Sequence, residues 1–295
     1  MSEFNHNGSD YDLEGLPSFV RRYQYQGKEH FSHILNLEHE RLRLWMRTGL
    51  DNTNGLNDEN PQEQTDNITE FIVFSIDPST FEQDFLDPNS RPFPAIHYKF
   101  DPATNILVIK MSTHEHHQVA KALDMAIDDV LAPMGLHRAI FTYGGVKIDL
   151  NGVTKVPDWG WGPRRPPRGY PRRPTVVLEV AISESRAKLR RDVDLWLDPA
   201  RGNSNIAIAV KSNRKRRTIT LDKWEWSSND EQSQRSRHIE IWENQSGEVV
   251  VSGSPLVIPF HLLFLRDAES PRETDLIIEE EQFKEIAAWV WEAHV

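Results

Sequence analysis

Residues 175–182, TVVLEVAI, decide the fold of this 295-residue chain. The stretch is β-branched and apolar almost throughout, which predicts a strand that is buried on both of its faces. Side chains alternate along a strand, so Val177, Glu179 and Ala181 share one face and the other apolar side chains share the opposite one. Strands covered on both faces are typical of sheets with helices on each side. The sequence therefore predicts an α/β fold in which helices flank a mixed central sheet.

The flanking segments predict helices and strands in an order that fits such a sheet. Apolar residues at helical spacing predict helices, and β-rich runs between turn signals predict strands. The predicted helices cover residues 28–48, 112–135, 185–197 and 279–293, and the predicted strands cover residues 71–76, 95–100, 106–111, 139–150, 153–161, 175–182, 206–210, 218–226, 239–242 and 249–251.

Composition suggests a division of the chain into an extension and a domain. Residues 51–67 contain five acidic residues, no basic residue and one apolar residue, so we expect a solvated acidic linker there. We interpret residues 1–90 as an N-terminal helical extension that includes this linker. Residues 91–295 are interpreted as an α/β domain that closes with a C-terminal helix.

Composition also limits the class of protein. The chain has no cysteine, which excludes disulfides and thiolate metal sites, and no apolar run approaches the length of a membrane span. We expect an intracellular protein of the nucleus or the cytoplasm, without membrane association; its oligomeric state is left open. The net charge is −11, yet residues 155–225 hold 17 Lys or Arg against 8 Asp or Glu. Such a local basic segment is compatible with nucleic acid as a partner.

Glu179 is the strongest chemical signal, because a carboxylate inside an apolar strand needs a charged partner or a metal ion. Asp158 lies 21 residues earlier, in the sequence VPDW, where the two carboxylates can become neighbours in the sheet. Adjacent carboxylates repel one another unless a cation lies between them, and carboxylate oxygens suit Mg²⁺. The alternatives are an ion pair with an arginine for Glu179 and a turn position for Asp158.

From about residue 95 to residue 267 the chain resembles the core of the PD-(D/E)xK nucleases, the restriction-endonuclease-like superfamily. Within it the chain is similar to a bacterial restriction-endonuclease-like family and to uncharacterised fungal proteins. The resemblance covers roughly 60% of the chain and implies a restriction-endonuclease-like core. It also implies a divalent-metal-dependent nuclease that hydrolyses phosphodiester bonds. The matching segments are the hairpin at 95–111, then HEHHQVAKAL, VPDW, VVLEVAISES, KLRRDVDLWL and PLVIPFHLLF.

The resemblance also implies site residues. Asp158 and Glu179 match the two acidic residues of the motif, which are catalytic and ligate the metal ion. Val180 would offer its backbone carbonyl as a further ligand. The implied cofactor is Mg²⁺, or alternatively Mn²⁺.

The motif lysine is expected two residues after the second acidic residue, where this sequence has Ala181. In the bacterial relatives a lysine lies instead on the next helix, at the position that Asp192 occupies here. Lys188 or Arg191 on that helix are the candidate catalytic cations. If neither serves, the chain is a degenerate relative. The alternative function is then a non-catalytic module on the same fold that binds nucleic acid or protein.

Two basic segments are candidates for nucleic-acid contact. Arginine suits bidentate contact with phosphate, and Tyr170 is a candidate for stacking on a base. Solvated surface charge is the alternative for each segment, and a nuclear-import signal is a further alternative for the second. The candidate nucleic-acid residues are Arg164, Arg165, Arg168, Arg172 and Arg173 in the first segment, and Lys211, Arg214, Lys215, Arg216 and Arg217 in the second.

The start of the helix predicted from Ser112 allows two further interpretations. Ser112 and Glu115 have the spacing of a capping box, which favours a structural role for Glu115 over that of the acidic residue on the first helix of the family. His114 and His117 suggest zinc. However, the H-E-x-x-H pattern requires a histidine where this chain has Gln118, so a zinc site is not favoured.

Overall fold

The computed structural model describes residues 15–51, 68–87, 96–182, 186–213 and 216–292. The predicted α/β class, with a mixed sheet flanked by helices, is confirmed.

The helices are α1 (Lys28–Asp51), α2 (Pro78–Phe81), α3 (His114–Leu131), α4 (Arg186–Leu197), α5 (Phe260–Phe264) and α6 (Glu280–Glu292), and a π-helical turn at Glu82–Leu86 follows α2. The strands are β1 (Arg21–Gln24), β2 (Phe71–Ser75), β3 (His97–Asp101), β4 (Ile106–Lys110), β5 (Ile140–Thr142), β6 (Ile148–Asp149), β7 (Thr154–Lys155), β8 (Trp159–Pro163), β9 (Val176–Ala181), β10 (Ile206–Asn213), β11 (Thr218–Ser227), β12 (Gln232–Glu243), β13 (Val249–Ser252), β14 (Leu256–Ile258) and β15 (Leu276–Ile278).

Two sheets organise these strands. The first sheet has the order β1-β2-β4-β3-β7-β6, and the second has the order β13-β12-β11-β10-β9-β8-β5. In the second sheet β9 runs parallel to β10 and antiparallel to β8, so this sheet is mixed. Strands β14 and β15 form a separate antiparallel pair.

Strand β9 lies at the centre of the second sheet, and all six of its residues are buried. The face with Val176, Leu178 and Val180 packs against apolar side chains of α3 and α6. The face with Val177 and Ala181 packs against α4. The alternation predicted for residues 175–182 is confirmed, and it aims Glu179 at the side that α4 covers.

The chain crosses between the two sheets at residues 156–158, because β7 belongs to the first sheet and β8 to the second. The single strand predicted at 153–161 is therefore wrong. The single strand predicted at 139–150 is also wrong, since β5 and β6 lie in different sheets and the chain turns between them. Gly144 and Gly145 permit this turn. A Cβ at Gly144 would lie 2.6 Å from the Trp159 ring, and Gly145 has a φ of +75°.

The N-terminal region contributes strands as well as a helix. Strand β1, which the sequence did not predict, pairs in parallel with β2, and β2 pairs with β4. The division proposed at residue 90 thus separates two paired strands. Helix α1 continues to Asp51 instead of ending before Gly49, since one interior glycine weakens a helix by only about 1 kcal/mol. Residues 52–67 of the predicted acidic linker lie outside the described residues.

Within the described part of the chain, no helix is both long enough and apolar enough to cross a membrane.

Candidate functional site

The carboxylates of Asp158 and Glu179 converge on one ammonium group. Asp158 directly precedes β8, and the pairing of Trp159 with Leu178 brings it beside β9, as the sequence predicted. Lys110 Nζ, from the end of β4, lies 2.6 Å from Asp158 Oδ2 and 3.8 Å from Glu179 Oε2. The same Asp158 oxygen accepts a 2.7 Å hydrogen bond from the backbone N–H of Val180.

Lys110 occupies the position that the sequence resemblance assigns to a metal ion. Its ammonium also donates a 2.6 Å hydrogen bond to the carbonyl oxygen of Val180, so it contacts all three of the implied metal ligands. Mg²⁺ needs near-octahedral oxygen ligands at about 2.0–2.1 Å. With an ammonium already between these oxygens, the residues present do not fit a divalent ion. Among the described residues, no cluster of three or more His, Asp or Glu side chains has an arrangement suited to a metal ion.

The charges continue from Glu179 towards α4. Lys155 Nζ, from β7, lies 3.1 Å from Glu179 Oε1 and 3.1 Å from Asp192 Oδ2. Lys188 Nζ lies 2.5 Å from Asp192 Oδ1. Three acidic and three basic side chains thus alternate in space. We call this set the ionic chain; its order is Asp158, Lys110, Glu179, Lys155, Asp192 and Lys188.

The ionic chain is shielded from solvent. Its six side chains belong to residues that are between 1% and 6% exposed. A cavity of about 10 Å³ borders every member of the ionic chain except Asp158, and Phe71, Tyr98 and Val108 also line it. A cavity of about 10–15 Å³ holds at most one water molecule. A phosphodiester group therefore does not reach Glu179 through this cavity, whereas Asp158 borders a separate cavity of about 160 Å³ beside His97 and His117.

The two candidate catalytic cations lie in different surroundings. Lys188 is buried in the ionic chain, with its ammonium 5.3 Å from the centre of the Phe71 ring. Arg191 lies on the exposed side of α4 and lines a surface groove. Ala181, at the position of the motif lysine, is fully buried among apolar side chains.

The sequence did not single out Lys110 or Lys155. Lys110 ends the otherwise apolar strand β4, a signal of the same kind as the one that identified Glu179. Lys155 lies three residues before Asp158 and was counted only as part of the basic segment. Trp196 completes the surroundings of Glu179, because its indole N–H donates a 2.6 Å hydrogen bond to Glu179 Oε1.

The pKa values of these groups follow from burial and from their charged neighbours. Burial acts to raise the pKa of Asp158, but Lys110 and His97 outweigh it and hold the pKa well below its ordinary value. Burial and the two lysines Lys155 and Lys188 act in the same way on Asp192, whose pKa is also lowered. Burial raises the pKa of Glu179, with Lys155 opposing the rise. Burial lowers the pKa of His97 to about 4, so its imidazole is neutral at pH 7.

We expect the protein to lose stability in acid because of Asp158 and Asp192. A carboxylate whose pKa is lowered by folding contributes stability above its unfolded pKa of about 3.9. This contribution is lost progressively as the pH falls from the unfolded pKa towards the lower folded pKa. The urea midpoint should therefore fall steadily from about pH 5 to pH 3. The Asp192→Asn variant is the control, and its fall should be shallower because it takes up no proton there. An unchanged midpoint between pH 5 and pH 3 would contradict this account.

The start of α3 differs from the predicted capping box. The helix is capped at Thr113, whose backbone N–H donates a 3.1 Å hydrogen bond to Nδ1 of His116. The predicted Ser112–Glu115 pair is therefore wrong by one residue. His116 Nε2 in turn lies 3.0 Å from a carboxylate oxygen of Glu70, and Glu115 is buried.

The two histidines that suggested zinc have other contacts. His114 Nε2 lies 3.1 Å from the side-chain nitrogen of Gln118. His117 Nδ1 lies 3.1 Å from the carbonyl oxygen of Thr113. These contacts use one ring nitrogen of each histidine within α3.

The two basic segments lie at opposite ends of the second sheet. The first follows Pro163, the far end of β8 from Asp158, so the length of a five-residue strand, about 16 Å, separates it from the carboxylates. The second follows β10, whose Lys211 pairs with Ala181 at the end of β9 that holds Glu179. Within the first segment, Arg173 is half-buried and donates to the carbonyl of Gly202. The exposed members described are Arg164, Arg165, Arg168 and Arg172 in the first segment and Arg216 and Arg217 in the second, while Arg214 and Lys215 lie outside the described residues.

The fold and the site together define the class of protein. It is an α/β protein whose two sheets meet at a buried chain of alternating charges, at the carboxyl end of the central strand β9.

Comparison of this chain with known protein families and with curated proteins finds no match. Among solved structures, it is similar to a proposed nuclease belonging to DUF820 from Anabaena variabilis. The two share 14% identical residues with a TM-score of 0.36, over 65% of this chain and 90% of that chain. A likeness of this size establishes neither a shared fold nor a shared activity.

Proposed function

We propose that this protein is a degenerate relative of the metal-dependent nucleases, which binds nucleic acid without cutting it. The observation that carries the proposal is the position of Lys110, whose ammonium contacts Asp158, Glu179 and the carbonyl of Val180. This alternative is favoured over the nuclease because the three groups implied as metal ligands already share an internal cation.

An ammonium balances the carboxylates but does not supply the chemistry of a metal ion. In the reaction that the sequence resemblance implies, the metal ion activates water and stabilises charge on the phosphate. Lys110 presents a compact ammonium group that contacts protein oxygens, so it performs neither task there. Burial of Glu179 adds a second obstacle, because the cavity beside this carboxylate has room for at most one water molecule.

Nucleic-acid binding is supported by the exposed positive charge of the basic segments. Arg164, Arg165, Arg168 and Arg172 are exposed in one loop, together with Tyr170, which is 49% exposed. Four arginines and an aromatic ring on one loop offer phosphate contacts and a stacking surface. The net charge of the whole chain is −11, which limits nonspecific attraction to these local surfaces.

The proposal predicts binding without cleavage. Labelled single-stranded DNA, duplex DNA and single-stranded RNA should remain intact after incubation with the protein in Mg²⁺ or Mn²⁺. Fluorescence anisotropy should detect binding whose affinity falls steeply with salt, because phosphate contacts release counterions. Metal-dependent cleavage that is lost in the Asp158→Asn variant would contradict the proposal, and so would the absence of binding to all three probes at low salt.

A further inference from the structure

A groove of about 400 Å³ lies beside α4, on the face of the second sheet that this helix covers in part. Its cationic side chains come from three elements that the sequence separates widely. Helix α4 supplies Arg186 and Arg190, β10 supplies Lys211, and β12 supplies Arg235; His238 of β12 lines the groove as well. We call this surface the basic groove. It is distinct from the ionic chain, which lies buried on the other side of α4.

Two acidic residues also line the basic groove, and both have basic side chains as neighbours on its β12 side. Asp222 Oδ1 lies 3.2 Å from Arg235 and 2.6 Å from His238 Nδ1. Glu240 Oε1 lies 3.1 Å from His238 Nε2. The acidic side chains therefore offset charge near β12. Asp194 also pairs with Arg190, so four formal positive charges are present with three negative ones, and the groove keeps a net positive charge towards α4 and β10.

Trp224 provides an aromatic wall within the groove. The guanidinium of Arg190 lies 4.0 Å from the centre of the Trp224 ring, in a cation–π contact. Arg190 is fixed there by Asp194 at 3.0 Å and by a 2.6 Å hydrogen bond to the carbonyl of Ser233. A fixed cation on an indole ring gives the groove a flat, positively charged surface of the kind on which a base stacks.

The positive surface continues beyond the groove along one direction. Lys211 lines the groove and also begins the second basic segment, whose Arg216 and Arg217 follow at the end of β10. Arg186 lies in the first turn of α4, where the helix dipole adds partial positive charge. The phosphates of a nucleic-acid strand that extends beyond the groove would thus contact the positive charge of the second basic segment.

We propose that the basic groove binds single-stranded nucleic acid, with phosphates near Arg186 and Lys211 and a base against the Arg190–Trp224 pair. The inference rests on the proposed function and specifies its binding surface. A volume of about 400 Å³ lies in the range for ligand-sized pockets of about 300–1,000 Å³, which suits a nucleotide unit of a single strand better than a duplex. Grooves that track a single strand combine positive charge with aromatic side chains in this way.

The experiment compares three variants of the full chain by fluorescence anisotropy, with labelled oligo(dT) and a duplex as probes. The groove variant is Arg186→Ser with Lys211→Ser. The charge-matched control is Lys121→Ser with Arg272→Ser, which removes two exposed positive charges outside the groove. The loop variant replaces Arg164, Arg165, Arg168 and Arg172 by serine.

We expect the groove variant to bind oligo(dT) at least tenfold more weakly than the control, and to lose more affinity for oligo(dT) than for the duplex. The slope of log affinity against log salt should shrink by about 0.7 for each lost phosphate contact on a single strand. Circular dichroism should show unchanged folding, because the replaced side chains lie at the surface of the groove.

The possible failures are distinguishable. If the groove variant binds oligo(dT) as the control does, while the loop variant loses binding, the groove assignment is wrong and nucleic-acid binding itself stands. If the wild-type protein binds neither probe at low salt, the proposed function fails and the groove assignment fails with it.

Discussion

Replacement of Lys110 by alanine should lower the free energy of unfolding at pH 7 by about 3–5 kcal/mol, which is the usual cost of removing one partner from a buried ion pair. The variant loses the ammonium that contacts Asp158 and Glu179. Both carboxylates are almost fully buried, so their charges are then less well balanced. Urea unfolding followed by circular dichroism measures the change. The control is Lys121→Ala, which removes an exposed pair with Asp124 and should cost less than about 1 kcal/mol.

The same variant tests whether Lys110 stands in place of a divalent ion. Without the ammonium, the oxygens of Asp158, Glu179 and Val180 face one another with no cation between them. We expect Mg²⁺ or Mn²⁺ to raise the melting temperature of Lys110→Ala and to leave that of the wild type unchanged. Stabilisation of the wild type by these ions, at equal ionic strength, would contradict the assignment of this position to the lysine.

Replacement of Asp192 by alanine should have the second largest effect. Asp192 contacts Lys155 at 3.1 Å and Lys188 at 2.5 Å, so its loss removes one buried carboxylate from contact with both ammonium groups. We expect a loss of about 3–5 kcal/mol in the free energy of unfolding. The matched control is Asp194→Ala on the same helix. The Asp194 side chain is 44% exposed in its pair with Arg190, so the control should lose about 1 kcal/mol or less.

A paired replacement separates lost charge balance from lost packing in this region. In Lys188→Met with Asp192→Leu, one positive and one negative charge leave together, and the Lys155–Glu179 contact remains. Because apolar residues of similar size often replace a buried ion pair at little cost, this double variant should be more stable than Asp192→Ala. If the double variant is less stable than Asp192→Ala, packing around α4 stabilises this region and the alternating charges do not.

The main features of the fold were predictable because local patterns determine them. The alternation in residues 175–182 predicted both faces of β9, and helical spacing predicted the helix α3, whose Val119, Leu123 and Ile127 lie in the core. The assignment of strands to two sheets was not predictable. Residues 153–161 contain no break in their extended pattern, and the crossing at 156–158 depends on distant pairing of β7 with β3 and of β8 with β9.

The site was predictable in part, because the sequence indicated Asp158, Glu179 and Lys188 but neither Lys110 nor Lys155. Asp158 and Glu179 stood out because charged residues in or beside an apolar strand require a partner. The partners Lys110 and Lys155 come from the first sheet, and no spacing in the sequence connects either of them to β9. Asp192 stood out as a replacement for a lysine, but its contacts with Lys155 and Lys188 required the structure.

The ionic chain constrains how this sequence can diverge. Acidic and basic side chains alternate along it, so a single change of charge at any of its six positions leaves a neighbour buried with an unbalanced charge. Divergent descendants of this chain are thus expected to change these positions in oppositely charged pairs. Acquisition of a metal site would require loss of the Lys110 ammonium together with compensation for its role in folding. A protein with an internal cation therefore has a narrow mutational route to a protein that takes its cation from solution.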